Sequence, residues 1–247
     1  MVELKKRLFL FFIFFLLSGD SIVLAHEEYA KLIPELKASV VPIEVSRTPK
    51  SIKSQVALEA LGDHADFFSQ GISELSGKSF GTAFVVDFDQ VDGEVYFITA
   101  AHLVRGASKV RIKISEEKKI RAELVWVKNK KDVALLKAKT NLYFKPLRLS
   151  TESTKEGQHI LALSNSFNIS IGSTQGIVSA VNVVLPGKKG LKLIQTDAAI
   201  NPGASGGPMF NSKGEVIGMI STIYTNTGNF SGASFVVPSL IISKLIF

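Results

Sequence analysis

The chain has 247 residues, of which 46% are hydrophobic and 21% charged, and this composition excludes an intrinsically disordered protein. It contains no cysteine, so disulfide bonds cannot contribute to its stability. The formal net charge is +7, but the basic residues are spread along the chain without interleaved aromatic residues, which favours a solvated basic surface over a nucleic-acid-binding one.

The N-terminus has the layout of a secretory signal. Lys5, Lys6 and Arg7 precede an apolar block over 8–17, and small residues lead up to Ala25. The block is shorter than the roughly 20 residues that a membrane-spanning helix needs. We therefore expect residues 1–25 to be a cleaved signal peptide, with an uncleaved membrane anchor as the alternative.

Short strands separated by turns dominate the rest of the chain. A helix is predicted over 26–38, and residues 47–78 break the β pattern and are interpreted as a surface loop. The predicted strands of a first series are 39–45, 82–88, 95–99, 109–114, 121–127 and 133–138. Those of a second series are 159–163, 169–184, 191–196, 215–222 and 233–237.

Two successive series of this kind predict an all-β fold. We expect two six-stranded antiparallel β-barrels, over about 39–145 and 155–238, followed by a C-terminal helix over 238–247. Within the first predicted strand, Pro42 favours an edge position or a bulge, because proline has no N–H to donate.

The segment 195–208 contains the candidate nucleophile, Ser205, in the run GASGG at 203–207. Glycines around a serine allow a tight backbone bend and a close approach to the amides. The pattern G-x-S-x-G also fits the α/β-hydrolases, which place an acid and a histidine after the serine. Beyond residue 208 there is no histidine or aspartate, and Glu215 is the only acid. The sequence therefore excludes an α/β-hydrolase.

Partners for Ser205 lie upstream in the chain. His102 ends a β-rich run and Asp132 enters another apolar run, which gives the order histidine, aspartate, serine found in chymotrypsin-like enzymes. In such a triad His102 accepts the proton of Ser205, and Asp132 fixes the tautomer of the histidine. Asp197 lies closer to Ser205 in sequence, but we expect it to make a structural hydrogen bond instead.

These motifs resemble the trypsin-like serine proteases, and specifically their HtrA/Deg branch. The strongest match is the run 194–208 followed by GEVIG at 214–218, and weaker matches lie at 81–84, 132–137, 176–179 and 235–239. The resemblance implies an active site in the cleft between the barrels, with His102 and Asp132 from the first and Ser205 from the second. It also implies an oxyanion hole made by the backbone at Gly203, Ala204 and Ser205.

The resemblance also bounds the cleavage specificity. Trypsin-type enzymes carry an aspartate six residues before the serine, where this chain has Ala199, so cleavage after lysine or arginine is disfavoured. The HtrA branch implies a pocket lined by Ile200, Tyr224 and Ala233. We expect this pocket to prefer small or medium aliphatic side chains.

Three features depart from the HtrA pattern. Ala204 stands where those proteins carry asparagine, SNSFN at 164–168 replaces a glycine-containing loop, and Thr82-Ala83 replaces Ser-Gly. No PDZ domain is expected after the protease domain. A homotrimer through that domain is an assembly that the resemblance allows.

The sequence thus predicts an exported serine endopeptidase, periplasmic or secreted, that acts on unfolded or extended polypeptides without a metal or cofactor. We expect no nucleic-acid partner, and a membrane contact only through an uncleaved signal segment. Two alternatives stay open. The chain could be a catalytically weak or inactive protease fold kept as a binding module of the cell envelope, or an envelope protein whose basic surface binds anionic lipid or lipopolysaccharide.

Overall fold

The computed structural model describes residues 29–48, 77–186, 190–223 and 232–246. The predicted signal peptide and most of the predicted loop at 47–78 lie outside these ranges. Within them, the strands form two closed β-barrels. None of the helices in the described ranges is long and apolar enough to cross a membrane.

The first barrel is closed in the order β1-β2-β3-β6-β5-β4, and its neighbouring strands are antiparallel. Its strands are β1 (Val40–Ser46), β2 (Lys78–Asp89), β3 (Glu94–Ala100), β4 (Lys109–Lys113), β5 (Lys119–Lys128) and β6 (Val133–Lys139). Pairing between β1 and β4 begins at Ile43. Pro42 therefore does not pair with β4, and its missing N–H costs no hydrogen bond on that side. This explains how β1 can contain a proline although it is not an edge strand.

The second barrel is closed in the order β10-β11-β12-β9-β8-β7. Its strands are β7 (His159–Ser164), β8 (Gly172–Val183), β9 (Leu193–Thr196), β10 (Pro208–Phe210), β11 (Val216–Ile223) and β12 (Ser234–Pro238). The prediction of two six-stranded antiparallel barrels is confirmed. The predicted second series contains five of these six strands. The strand that it lacks is β10, whose three residues are too few to show an alternation in the sequence.

Three short α-helices in the described ranges accompany the barrels. Helix α1 covers 29–37, inside the predicted range, and α3 (Ser239–Ile246) is the predicted closing helix. Helix α2 (Ala101–Val104) follows β3 directly and was not predicted, because four residues are too few to show a helical period.

The two barrels share an apolar interface, and β7 shows how it is built. Ile160 and Ala162 belong to the core of the second barrel, whereas Leu161 and Leu163 pack into a cluster that includes residues of the first barrel. Since alternate side chains of a strand point to opposite faces, β7 is buried on both sides. This arrangement explains its continuous apolar run and fixes the position of one barrel against the other.

An ion network stabilises one wall of the first barrel. The Glu44 carboxylate in β1 accepts hydrogen bonds from Lys119 (2.7 Å) and Arg111 (2.9 Å), and its side chain is only 11% exposed. The hydrogen bond from Lys119, supported by that from Arg111, holds the pKa of Glu44 below its ordinary value against the opposing effect of burial.

We predict that Glu44→Gln lowers the free energy of unfolding at pH 7 by about 1–2 kcal/mol, because two cations lose their common anion. A carboxyl whose pKa is lower in the folded state stabilises the fold above its unfolded pKa, and this contribution disappears as the pH falls through the folded pKa. Urea denaturation at pH 7 and at about pH 3 should therefore show the difference between wild type and variant shrinking in acid.

Glu116→Gln is the matched control, since that carboxylate is 82% exposed and binds Lys113 within a single turn of chain. It should change stability by less than about 0.5 kcal/mol. A Glu44→Gln effect that is equally large at both pH values would contradict the ionic explanation.

Candidate active site

His102 and Asp132 meet at one end of the first barrel. His102 lies in α2, directly after β3, and Asp132 immediately precedes β6. Since Ala100 at the end of β3 pairs with Val133 at the start of β6, the residues just beyond the two strands are neighbours. His102 Nδ1 lies 3.0 Å from both carboxylate oxygens of Asp132.

The Asp132 carboxylate is fixed by two further donors. The backbone N–H of His102 donates to Oδ1 at 3.0 Å, and the Ser221 hydroxyl donates to Oδ2 at 2.5 Å. The side chains of Asp132 and His102 are only 8% and 13% exposed. A carboxylate accepts hydrogen bonds, so Nδ1 of His102 carries its proton and Nε2 of the neutral ring is left as an acceptor.

Ser205 belongs to the second barrel, in the segment between β9 and β10. Its hydroxyl donates to the backbone carbonyl of Ser221 at 3.2 Å. Within the described ranges, no hydrogen bond joins Ser205 Oγ to the His102 ring. Ser221, in β11, therefore contacts both parts of the site, with its hydroxyl on Asp132 and its carbonyl on Ser205.

Sequence reasoning missed Ser221. The signal that could have identified it is a serine inside the apolar run of β11, where it is 1% exposed. Buried hydroxyls need a hydrogen-bond partner, so such a serine indicates a polar group nearby. The identity of that group depends on the packing of one barrel against the other, which a local pattern does not contain.

The backbone before Ser205 is fixed by a hydrogen bond from the loop at 164–168. The Pro202 carbonyl accepts a hydrogen bond from the Phe167 N–H at 2.7 Å. A trans peptide places its C=O and N–H on opposite sides, so the Gly203 N–H points away from Phe167. Gly203 itself has φ +95, and a Cβ there would lie 2.4 Å from the Asn165 carbonyl oxygen. The bend therefore requires glycine.

Two amides of this segment have no acceptor within the described ranges. Among the described residues, the N–H groups of Gly203 and Ser205 donate no hydrogen bond to the protein. The Ala204 N–H, in contrast, donates to the Asn201 carbonyl at 3.0 Å, which removes it as a donor to a ligand. The arrangement thus offers two free donors around Ser205 rather than three.

Two of the residues predicted to line the substrate pocket lie in or against the apolar cores. Ile200 is 2% exposed and packs into the core of the second barrel, and Ala233 packs against the larger core cluster. Tyr224 lies outside the described residues.

Asp197 makes the expected structural hydrogen bond: its Oδ1 accepts from the Ile177 N–H at 2.7 Å. Ala199 is exposed.

The groups gathered at this site are those of acyl transfer. In the part of the chain that the structure describes, no group of three His, Cys, Asp or Glu side chains is arranged to hold a metal ion. Among the described residues, the site combines a histidine whose Nε2 has no hydrogen-bond partner, a serine hydroxyl in a weak hydrogen bond and two free amides. These are the groups that acyl transfer requires.

Comparison with known proteins gives consistent matches. The chain is 35% identical over 228 residues to a "Probable periplasmic serine endoprotease DegP-like" of Halomonas elongata, covering 85% of this chain and 47% of that protein. It is 39% identical over 170 residues to a protein of the same description from Pseudomonas putida, covering 68% of this chain and 34% of the relative. The chain thus spans half or less of the length of these curated relatives.

Solved structures support the same fold. The HtrA-type protease AlgW with tripeptide superimposes with a TM-score of 0.66 at 24% identity, covering 88% of this chain and 62% of that one. The family model described as "Trypsin-like peptidase domain" matches residues 81–219, which include His102, Asp132 and Ser205. The chain therefore belongs to the trypsin-like peptidase domain family.

Proposed function

We propose that this protein is an exported serine endopeptidase that hydrolyses peptide bonds through Ser205, His102 and Asp132. The observation that supports it best is the continuous set of contacts from Ser205 to Ser221, from Ser221 to Asp132 and from Asp132 to His102. Relatives named as periplasmic serine endoproteases support both the chemistry and a periplasmic location.

Attack on the substrate begins with a rotation of the Ser205 hydroxyl. Its present bond to the Ser221 carbonyl is long, at 3.2 Å, so breaking this bond costs little. Nε2 takes the hydroxyl proton as Oγ bonds to the substrate carbonyl carbon. Asp132 stabilises the imidazolium that forms, because it already holds Nδ1–H.

The tetrahedral intermediate carries a negative oxygen, which in this proposal the N–H groups of Gly203 and Ser205 bind. Collapse of the intermediate breaks the C–N bond, and the proton on His102 goes to the leaving amine. The product is an ester of Ser205 with the acyl part of the substrate. Water then attacks this ester with His102 as base, which releases the acid and restores the hydroxyl.

The proposed substrates are unfolded or extended polypeptides. The amides at Gly203 and Ser205 recognise a backbone carbonyl, which every peptide presents. A peptide bond must leave its own hydrogen-bonded structure to reach them. The structural neighbour AlgW was solved with a tripeptide, which is a short peptide ligand in a protein of this fold. For the side chain before the cleaved bond, we propose a preference for small or medium aliphatic groups.

Replacing Ser205 by alanine is expected to reduce casein hydrolysis by about 10⁵-fold or more, because the variant lacks the hydroxyl that forms the ester. The measurement is the release of acid-soluble fragments, together with labelling by a fluorophosphonate probe. The wild type should be labelled on Ser205 and the variant should not. A folded wild type that neither cleaves casein nor reacts with the probe would refute the proposed activity.

Replacing Ser221 by alanine is expected to lower kcat about 10-fold, with KM little changed, because Asp132 loses one of the donors that hold it against His102. Steady-state kinetics on a fluorogenic peptide would measure this change. Ser239→Ala is the matched control, since it removes an equally buried hydroxyl that donates to the Ser150 carbonyl at 2.7 Å. Equal losses in both variants would argue against a specific role for Ser221.

The specificity proposal predicts that peptides with valine or alanine before the cleaved bond have kcat/KM values at least about 10-fold above those with lysine or arginine. The reason is that Ala199 supplies no carboxylate where a basic side chain would need one. A peptide library that varies this position, digested by the wild type and read by mass spectrometry, would test it. Preferred cleavage after lysine or arginine would overturn the assignment of the pocket.

A further inference from the structure

Thr82 of β2 is completely buried at the point where the first barrel meets the segment of Ser205. All of its polar groups are used. Its N–H donates to the Ser205 carbonyl at 2.9 Å, and its own carbonyl accepts from the Thr99 hydroxyl at 2.7 Å. Its hydroxyl lies 2.9 Å from both the Asn165 nitrogen and the Gly203 carbonyl oxygen.

The direction of the hydroxyl bonds is fixed by chemistry. The Asn165 N–H can only donate, so the Thr82 oxygen accepts from it. The Gly203 carbonyl can only accept, so the Thr82 O–H donates to it. One side chain of the first barrel therefore bridges the loop at 164–168 and the turn that carries Gly203.

The second of these bonds completes the support of Gly203. The peptide before it is held by the Phe167 N–H on the Pro202 carbonyl, and the peptide after it by the Thr82 hydroxyl on the Gly203 carbonyl. Because both flanking peptide planes are fixed, the φ and ψ angles of Gly203 are fixed as well. The direction of the free Gly203 N–H follows from them.

From this geometry we infer that Thr82 is a positioning residue for the oxyanion-binding amides. It touches no substrate and acts through the backbone of Gly203 and Ser205. The inference rests on the proposed function, because an oriented Gly203 N–H matters for catalysis only where a carbonyl oxygen gains charge. Such an interaction is made mainly in the transition state, so its loss should appear in kcat rather than in KM.

The test compares two substitutions at Thr82. Thr82→Val keeps the shape of the side chain but leaves the Asn165 N–H and the Gly203 carbonyl without their partner, so kcat should fall about 10- to 100-fold with KM within about 3-fold. Thr82→Ser keeps the hydroxyl and should retain kcat within about 3-fold of the wild type. Kinetics are measured on a fluorogenic peptide, with the active fraction counted by fluorophosphonate labelling.

Thr196→Val is the matched control. Thr196 is also completely buried, and its hydroxyl likewise makes one donated and one accepted bond, to the Ile177 carbonyl at 2.7 Å and from the Ala198 N–H at 3.1 Å. The Thr196→Val variant should lose about as much stability as Thr82→Val but should keep the kcat of the wild type. Amide NMR spectra give a readout that does not depend on activity: the Gly203 and Ser205 resonances should move in Thr82→Val and stay in Thr196→Val.

The outcomes separate this inference from the proposed function. An inactive wild type refutes the proposed function, and the amide spectra then still decide whether Thr82 orients Gly203. An active wild type with Thr82→Val at full kcat, or with Gly203 and Ser205 resonances unmoved, overturns the inference alone. A Thr82→Ser variant as impaired as Thr82→Val also overturns it, because the methyl group and not the hydroxyl would then be responsible.

Discussion

The close approach of the two barrels at Gly206 is the constraint on which the site depends. A Cβ at this residue would lie 2.1 Å from the Thr82 carbonyl oxygen and 2.4 Å from the Thr99 hydroxyl, so β2 and β3 pass directly against the serine segment. Gly206 also has φ +86, which only glycine adopts without strain. This contact brings Ser205 to the end of the first barrel where α2 carries His102.

A buried carboxylate organises the other half of the site. Asp132 is 6% exposed, and a charge removed from water is tolerated when several donors surround it. Here the donors are the His102 ring, the His102 N–H and the Ser221 hydroxyl, and they come from both barrels. The requirement to satisfy one charge thus fixes the imidazole and also links β11 to the first barrel.

The architecture could be predicted from sequence because it rests on local patterns, namely short β-rich runs, turn residues and an ordered set of motifs. Helix α2 could not, since a four-residue helix has no distinctive pattern. For Ser221, the serine within an apolar strand indicates a polar partner, but the identity of that partner depends on the packing of the two barrels. The contacts of Thr82 could not be predicted from the sequence either. They join β2, the loop at 164–168 and Gly203, which only the packing of the two barrels brings together.

Two of the departures from the HtrA pattern, Ala204 and the loop at 164–168, support the turn mainly through their backbone, whereas Thr82 acts through its hydroxyl. The loop at 164–168 supports the turn through the N–H groups of Asn165 and Phe167, which any residue other than proline provides. The conformation of this loop is strained, because Phe167 and Asn168 have positive φ values, 57 and 55, without being glycine. Asparagine tolerates this region, but phenylalanine at φ 57 costs about 1–2 kcal/mol. The hydrogen bonds from Phe167 to Pro202 and between Asn165 and Asn168 offset that cost, so the support of Gly203 and the conformation of the loop stabilise each other.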